Sequence, residues 1–186
     1  MKFIKFLLVL FISINSPIKA DLNQNLINEL KQGGKLIFIR HAYAPGGGDP
    51  DNFNINHCNT QRNLSDSGRE QAFKIGSFFK VNNIFIDRIY SSEWCRCKET
   101  ALIAFDKFTT KDFLNSFFSS KFAKNKDSQV KRLKQFIKNS DDSKNLIFIS
   151  HYVVIKEVLN ISPNSGEMII TNNKYELIGR IQIKIS

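Results

Sequence analysis

Past its first twenty residues the sequence has no apolar run long enough to cross a bilayer. It has no internal repeat and no low-complexity tract, which excludes solenoid and array architectures. Its lysines are scattered, without a tight cluster or interleaved aromatics. The net charge of +10 therefore does not read as a nucleic-acid groove. Cysteine is scarce: Cys58, Cys95 and Cys97, an odd count that leaves one thiol over. The paired spacing of zinc ligands is missing, so His57 beside Cys58 is a weak basis for a metal site, and no metal is expected.

What is present begins with a leader pattern. Lys2 and Lys5 precede a nearly unbroken apolar run from Phe6 to Ile14. Pro17 follows, and Ala20 closes a small-residue cleavage site. Residues 1–20 are expected to be a signal peptide, and residues 21–186 one domain in the periplasm or outside the cell. The alternative is an uncleaved anchor. No cysteine follows the site, so a lipid-modified terminus is not expected. Removing Lys2, Lys5 and Lys19 from the charge of +10 leaves +7. Export favours disulfide formation. Cys58 is expected to pair with Cys95 or Cys97, pinning the loop before Asn63 to the helix around Arg96.

Strand and helix patterns alternate along the chain. Apolar runs at 35–39, 84–90 and 145–149 read as buried strands. Residues 21–31, about 65–79, 94–105, 127–138 and 153–159 read as helices, and Ser67 with Glu70 fits a capping box. Residues 168–171 and 176–185 read as a final hairpin turning at Asn172-Asn173. Residues 106–126 follow no clean period. The fold expected is α/β, a three-layer sandwich with a mainly parallel central sheet.

Two of the apolar strands end in histidine, Ile39-Arg40-His41 and Ile149-Ser150-His151. Ligands of open α/β sheets bind at the carboxyl ends of strands. If the two strands are neighbours, both imidazoles meet there. Ser91-Ser92 ends a further strand, with Arg96 one turn into the next helix. Two guanidiniums match phosphate oxygens as planar donors. A neutral imidazole can attack phosphorus if its other ring nitrogen is held. The set His41, His151, Arg40 and Arg96 therefore suits phosphoryl transfer without a divalent metal or other cofactor.

Four segments carry a family resemblance. Leu36–Ala42 resembles a strand leading into Arg-His-Gly. Asn63–Ala72 is similar to a turn into a Gly-Arg-x-Gln-Ala helix. Ser91-Ser92 through Arg96 to Glu99-Thr100 matches a Ser-Ser-x-x-x-Arg-x-x-Glu-Thr element. Ile147–His151 resembles the strand carrying a second histidine. Together they resemble the histidine phosphatase superfamily, the phosphoglycerate mutase-like group. The resemblance implies a phosphatase acting on phosphate monoesters. His41 would carry the phosphoryl group, Arg40, Arg96 and His151 would form its pocket, and Glu99 and Thr100 would hold the helix that presents Arg96.

The chain departs from the family at Ala42, where glycine is usual, at bulky Tyr152, and in the glycine-rich loop 44–60. The family's general acid has several candidates here: Asp106, Asp112, Glu167, Asp49 and Glu93, with Glu167 favoured because it opens a strand after a turn. Trp94 is expected to pack at a helix start, and stacking on a substrate ring is the other reading. The expected partner is a phosphorylated small molecule or envelope component, with no nucleic acid and no stable membrane insertion after cleavage. The contrasting reading is a non-catalytic binder of phosphorylated envelope molecules.

Overall fold

The computed structural model describes residues 17–185. The expected leader lies outside these residues except for its last four. Those form the start of α1 (Pro17–Gln32), which Gly33 and Gly34 end with positive φ. No helix among the described residues is long and apolar enough to cross a membrane.

The chain continues through β1 (Leu36–Arg40), α2 (Asp66–Val81), β2 (Arg88–Ser91), α3 (Cys95–Phe105), the two-residue β3 (Thr109–Thr110), the short α4 (Ser120–Ala123) and α5 (Lys126–Lys138). It closes with β4 (Leu146–Ser150), α6 (Tyr152–Leu159), β5 (Glu167–Thr171) and β6 (Leu177–Gln182). The six strands form one sheet in the order β3-β2-β4-β1-β5-β6. The first three pairings are parallel, and β5 and β6 are antiparallel additions. This is the three-layer α/β arrangement the alternation predicts.

Strand periodicity sorts the core into two layers. Ile37 and Ile39 face α1, α2 and α3, with Ile147, Ile149 and Ile75. Leu36 and Phe38 face α5 and α6, with Phe148, Leu133 and Ile155. Phe38 and Phe148 stack at 5.2 Å between centroids. Strands β1 and β4 are buried on both faces, which explains their unbroken apolar runs.

Three local expectations change. The cap of α2 is Ser65, whose side chain accepts from the Gly68 amide, rather than Ser67. Residues 84–87 precede β2 instead of joining it: the Ile84 amide closes the end of α2 on Phe79 O, and pairing with β4 starts at Arg88. Residues 106–126 hold β3, a 3-10 turn at Asp112–Leu114 and α4. Each is too short to complete a hydrophobic period, so no pattern marks it.

Candidate active site

The register of two strands assembles the centre. β1 and β4 pair in parallel with Arg40 opposite Ser150. One residue on, the His41 amide donates to Ser150 O at 2.9 Å. His41 and His151 thus leave adjacent strands side by side, their ring centroids 5.4 Å apart and their planes at 67°. Both are buried, at 2% and 3% exposure.

Arg96 joins them from the first turn of α3. Its Nε donates to His41 Nε2 at 3.2 Å, and its Nη2 lies 3.4 Å from His151 Nδ1. Arginine can only donate, so both ring nitrogens must accept. That fixes the tautomers. His41 donates through Nδ1–H to Ala42 O at 2.8 Å, leaving Nε2 unprotonated, its lone pair accepting from the arginine. His151 donates through Nε2–H to Ser92 Oγ at 2.9 Å. Ser92 Oγ donates to Asn115 Oδ1 at 3.0 Å, and Asn115 Nδ2 to Glu93 Oε2 at 2.6 Å. Ser92 is therefore a link in a relay behind His151. Burial first, and the Arg96 charge second, hold both imidazoles well below the usual histidine range, so both are neutral.

The other arginines are placed by loops and a ring. Arg40 Nη1 donates to Pro163 O at 3.1 Å, and its guanidinium lies 5.6 Å from the Tyr152 centroid. Its buried Nε has no hydrogen-bond partner among the described residues. Arg62 Nε donates to Gly48 O at 3.0 Å, and its Nη1 to Ala44 O. Burial comes first in lowering Arg40 and Arg62 from the usual arginine value, and repulsion from Arg96 adds to it.

Asp49 faces them. Its carboxylate accepts from Arg96 Nη1 at 2.7 Å and Nη2 at 3.2 Å, from the Arg62 amide at 3.0 Å and from Trp94 Nε1 at 3.0 Å. Despite the cost of burial, these contacts hold its carboxyl below the usual range, so it is ionised. Sequence patterns point to neither Arg62 nor this use of Asp49. Arg62 adjoins the Asn63-Leu64 turn without a periodic signal, and Asp49-Pro50 reads as a loop breaker.

One disulfide, Cys58–Cys95, ties the loop carrying Asp49 and Arg62 to the helix carrying Arg96, with 5.6 Å between Cα atoms. It uses two of the thiols that a metal set around exposed His57 would need. Cys97 is the free thiol. It is buried, and burial pushes it up to about 12, so it stays protonated. The Gln61 side chain accepts from the Cys95 amide at 2.9 Å and donates to Asn54 O and Ile55 O, folding the same loop onto α3.

The first positions of the family pattern also have visible work. Ala42 has no positive φ, so glycine is not required there. Its amide donates to Thr100 Oγ1 at 3.1 Å, and Thr100 bonds back to Arg96 O at 2.7 Å. Glu99 accepts from Arg69 Nε at 2.7 Å, joining α3 to α2. Gln71, also on α2, receives the Tyr43 amide at 2.9 Å.

The favoured acid is placed elsewhere. Glu167 pairs with Arg180 at 2.8 and 3.0 Å and accepts from the Asn164 amide at 2.7 Å. The turn before β5 folds this carboxylate back toward β6, away from the imidazoles. Asp112 pairs with Arg132, Asp106 is exposed just past α3, and Glu93 is held by Asn115. Among the described carboxylates, Asp49 and Asp51 line the cavity that contains both histidines. That cavity measures about 680 Å³, several times the size of a phosphate. Three guanidiniums, those of Arg40, Arg62 and Arg96, line the cavity against the Asp49 carboxylate, an excess of positive charge suited to a phosphate dianion.

The histidine phosphatase superfamily (branch 1) matches residues 36–115. No curated protein matches the sequence. Among solved structures, the protein histidine phosphatase SixA complexed with tungstate aligns with TM-score 0.56 and 11% identity, covering 79% of this chain and 96% of its own. TTHB049 from Thermus thermophilus aligns with TM-score 0.56 and 13% identity, covering 79% and 98%. A phosphoserine phosphatase variant from Entamoeba histolytica, in complex with phosphoserine, aligns with TM-score 0.53 and 19% identity, covering 73% and 89%. At these identities the likeness speaks for the fold. Over residues 36–115 the chain carries the pattern of the histidine phosphatase superfamily, and β4, β5 and β6 complete a fold like that of the aligned structures.

Proposed function

We propose that this protein is an exported phosphatase that hydrolyses phosphate monoesters through a phosphohistidine on His41, without a metal ion. The observation that carries the reading is the fixed tautomer of His41: Nδ1–H is committed to Ala42 O, and the Nε2 lone pair faces a guanidinium. In the first step Nε2 attacks phosphorus and the ester P–O bond breaks. Arg40, Arg62 and Arg96 offset the charge spreading over the equatorial oxygens. His151 is held at the same rim by the Ser92–Asn115 relay, and beside a bound dianion it takes up a proton at Nδ1 and donates to an equatorial oxygen.

Asp49 is assigned the proton work. A dianionic ester competes for Arg96, and beside that like charge the Asp49 carboxyl rises and takes up a proton. It gives the proton to the leaving alkoxide. In the second step it takes one from the water that attacks the phosphohistidine, so the cycle closes. The arginines supply the charge stabilisation a cation would otherwise bring, which supports metal independence. The disulfide and the leader pattern support export. The unprotonated Nε2 of His41, released for attack when a phosphate takes over the arginine, favours an enzyme over a binder, which needs only the guanidiniums.

The test is hydrolysis of p-nitrophenyl phosphate with and without chelator, beside His41→Ala. Turnover is expected to resist chelator and to vanish in the variant. Acid quenching with labelled substrate is expected to trap an acid-labile, alkali-stable protein phosphate. Activity that survives His41→Ala would refute the reading.

A further inference from the structure

The cavity is far larger than one phosphate, and part of its wall is aromatic. Trp94 touches His151 edge-on at 5.4 Å between centroids. Phe53 stacks on Trp94 at 5.0 Å and 25°, and Phe122 meets Trp94 edge-on at 5.6 Å. Phe118 completes the wall and is 69% exposed, an uncommon state for a phenylalanine lining a cavity. The aromatic surface thus begins one ring beyond the imidazoles. A phosphoryl group on His41 would point its leaving oxygen into the remaining space, toward these rings.

We infer that the substrate is a phosphate monoester of a planar ring system, whose rings stack between Phe118 and Phe122 while the phosphate occupies the arginines. This inference deepens the proposed phosphatase reading and rests on it. Three observations carry it. Arg40, Arg62 and Arg96 line the cavity together with both histidines, and the two further charged residues that line it, Asp51 and Lys121, are of opposite sign. The wall offers ring faces and edges, which prefer a flat partner in offset or edge-on contact over a flexible chain. Trp94 is fixed by its bond to Asp49, and Phe53 and Phe122 pack against Trp94, so this part of the wall is held in place before a ligand arrives. A small polyol phosphate would leave those rings in water.

The experiment measures binding of phosphonates to the unmodified protein by calorimetry, so it does not depend on turnover. The ligands are benzylphosphonate, naphthalen-2-ylmethylphosphonate and octylphosphonate. The naphthyl ligand is expected to bind about tenfold tighter than the benzyl one, the size of one added stacked ring. It should also bind tighter than the octyl ligand. Phe118→Ala and Phe122→Leu, the second of which keeps apolar bulk without a ring, are each expected to shrink the naphthyl-over-benzyl ratio at least threefold. Equal affinity for naphthyl and benzyl ligands would overturn the inference. So would a preference for the octyl chain, which would mark a lipid-like substrate, or a ratio unchanged by both variants. The two readings fail separately: a naphthyl preference without any His41-dependent hydrolysis would sink the phosphatase proposal alone.

Discussion

The Asp49 carboxylate spans both terminal nitrogens of Arg96, at 2.7 and 3.2 Å, while the same guanidinium holds His41 through Nε. One arginine is thereby shared between an internal anion and the nucleophile. Any phosphate that enters must compete with Asp49 for those donors. The loop that carries Asp49 turns through Gly46 and Gly48, both at positive φ, a conformation that side chains disfavour.

The first prediction follows from that sharing. Asp49→Asn keeps the shape but cannot cycle a proton. Turnover of an alkyl phosphate such as glycerol phosphate is expected to fall about 100-fold. Turnover of p-nitrophenyl phosphate, whose leaving group needs no proton, is expected to fall less than about tenfold. Steady-state kinetics on the two substrates check it. Equal losses would reduce Asp49 to a clamp for Arg96.

The second prediction concerns acid. His41 and His151 are both buried neutral, with folded pKa values depressed below the ordinary 6.5. The unfolded chain binds protons that the folded one refuses. Their contribution is thus fully present above about pH 6.5 and is lost as pH falls from there toward the folded values. The slope is at most about 1.4 kcal/mol per pH unit for each histidine. Denaturant unfolding at about pH 7.5, 6.5 and 5.5 is expected to show little change over the first interval and a clear loss over the second. His151→Gln should flatten that loss. A flat profile down to about pH 5 would contradict the buried neutral pair.

The third prediction tests the disulfide. Cys58 and Cys95 are 37 residues apart. A closed loop of that length is worth about 4 kcal/mol by chain entropy. Cys58→Ser with Cys95→Ser is expected to lower stability by an amount of that order. KM for p-nitrophenyl phosphate should rise, because Asp49 and Arg62 ride on the released loop. Thiol titration of denatured, unreduced wild type should find one free sulfhydryl, Cys97. Two or three would break the assignment.

The fourth prediction contrasts two glycines. A Cβ on Gly68 would lie 2.0 Å from Tyr43 O, so the start of α2 can approach the segment just past His41 only without a side chain. Gly68→Ala is expected to cost about 2 kcal/mol or more. A Cβ on Gly47 would meet nothing within 4 Å. Gly47→Ala should change stability by no more than about 0.5 kcal/mol. Thermal melts of the two variants distinguish them directly.

By itself the sequence determined the layers of the fold and the main reactive side chains. Doubly buried strands must be continuous apolar runs, and helices must carry a 3.6-residue stripe, so β1, β4, α2, α3 and α5 are legible from composition and period alone. His41, His151, Arg40 and Arg96 stand at the ends or starts of those elements, where periodic signals stop. Only the tertiary structure decided which carboxylate faces them. Glu167 and Asp49 are equally plain as residues in loops or at strand ends. Burial against Arg180 claims the one, and the turn after Gly48 delivers the other. It also chose Cys95 over Cys97, added Arg62 and built the aromatic wall. Those pairings join loops and short segments with no period of their own, and such contacts are fixed by the closure of the whole chain around its sheet.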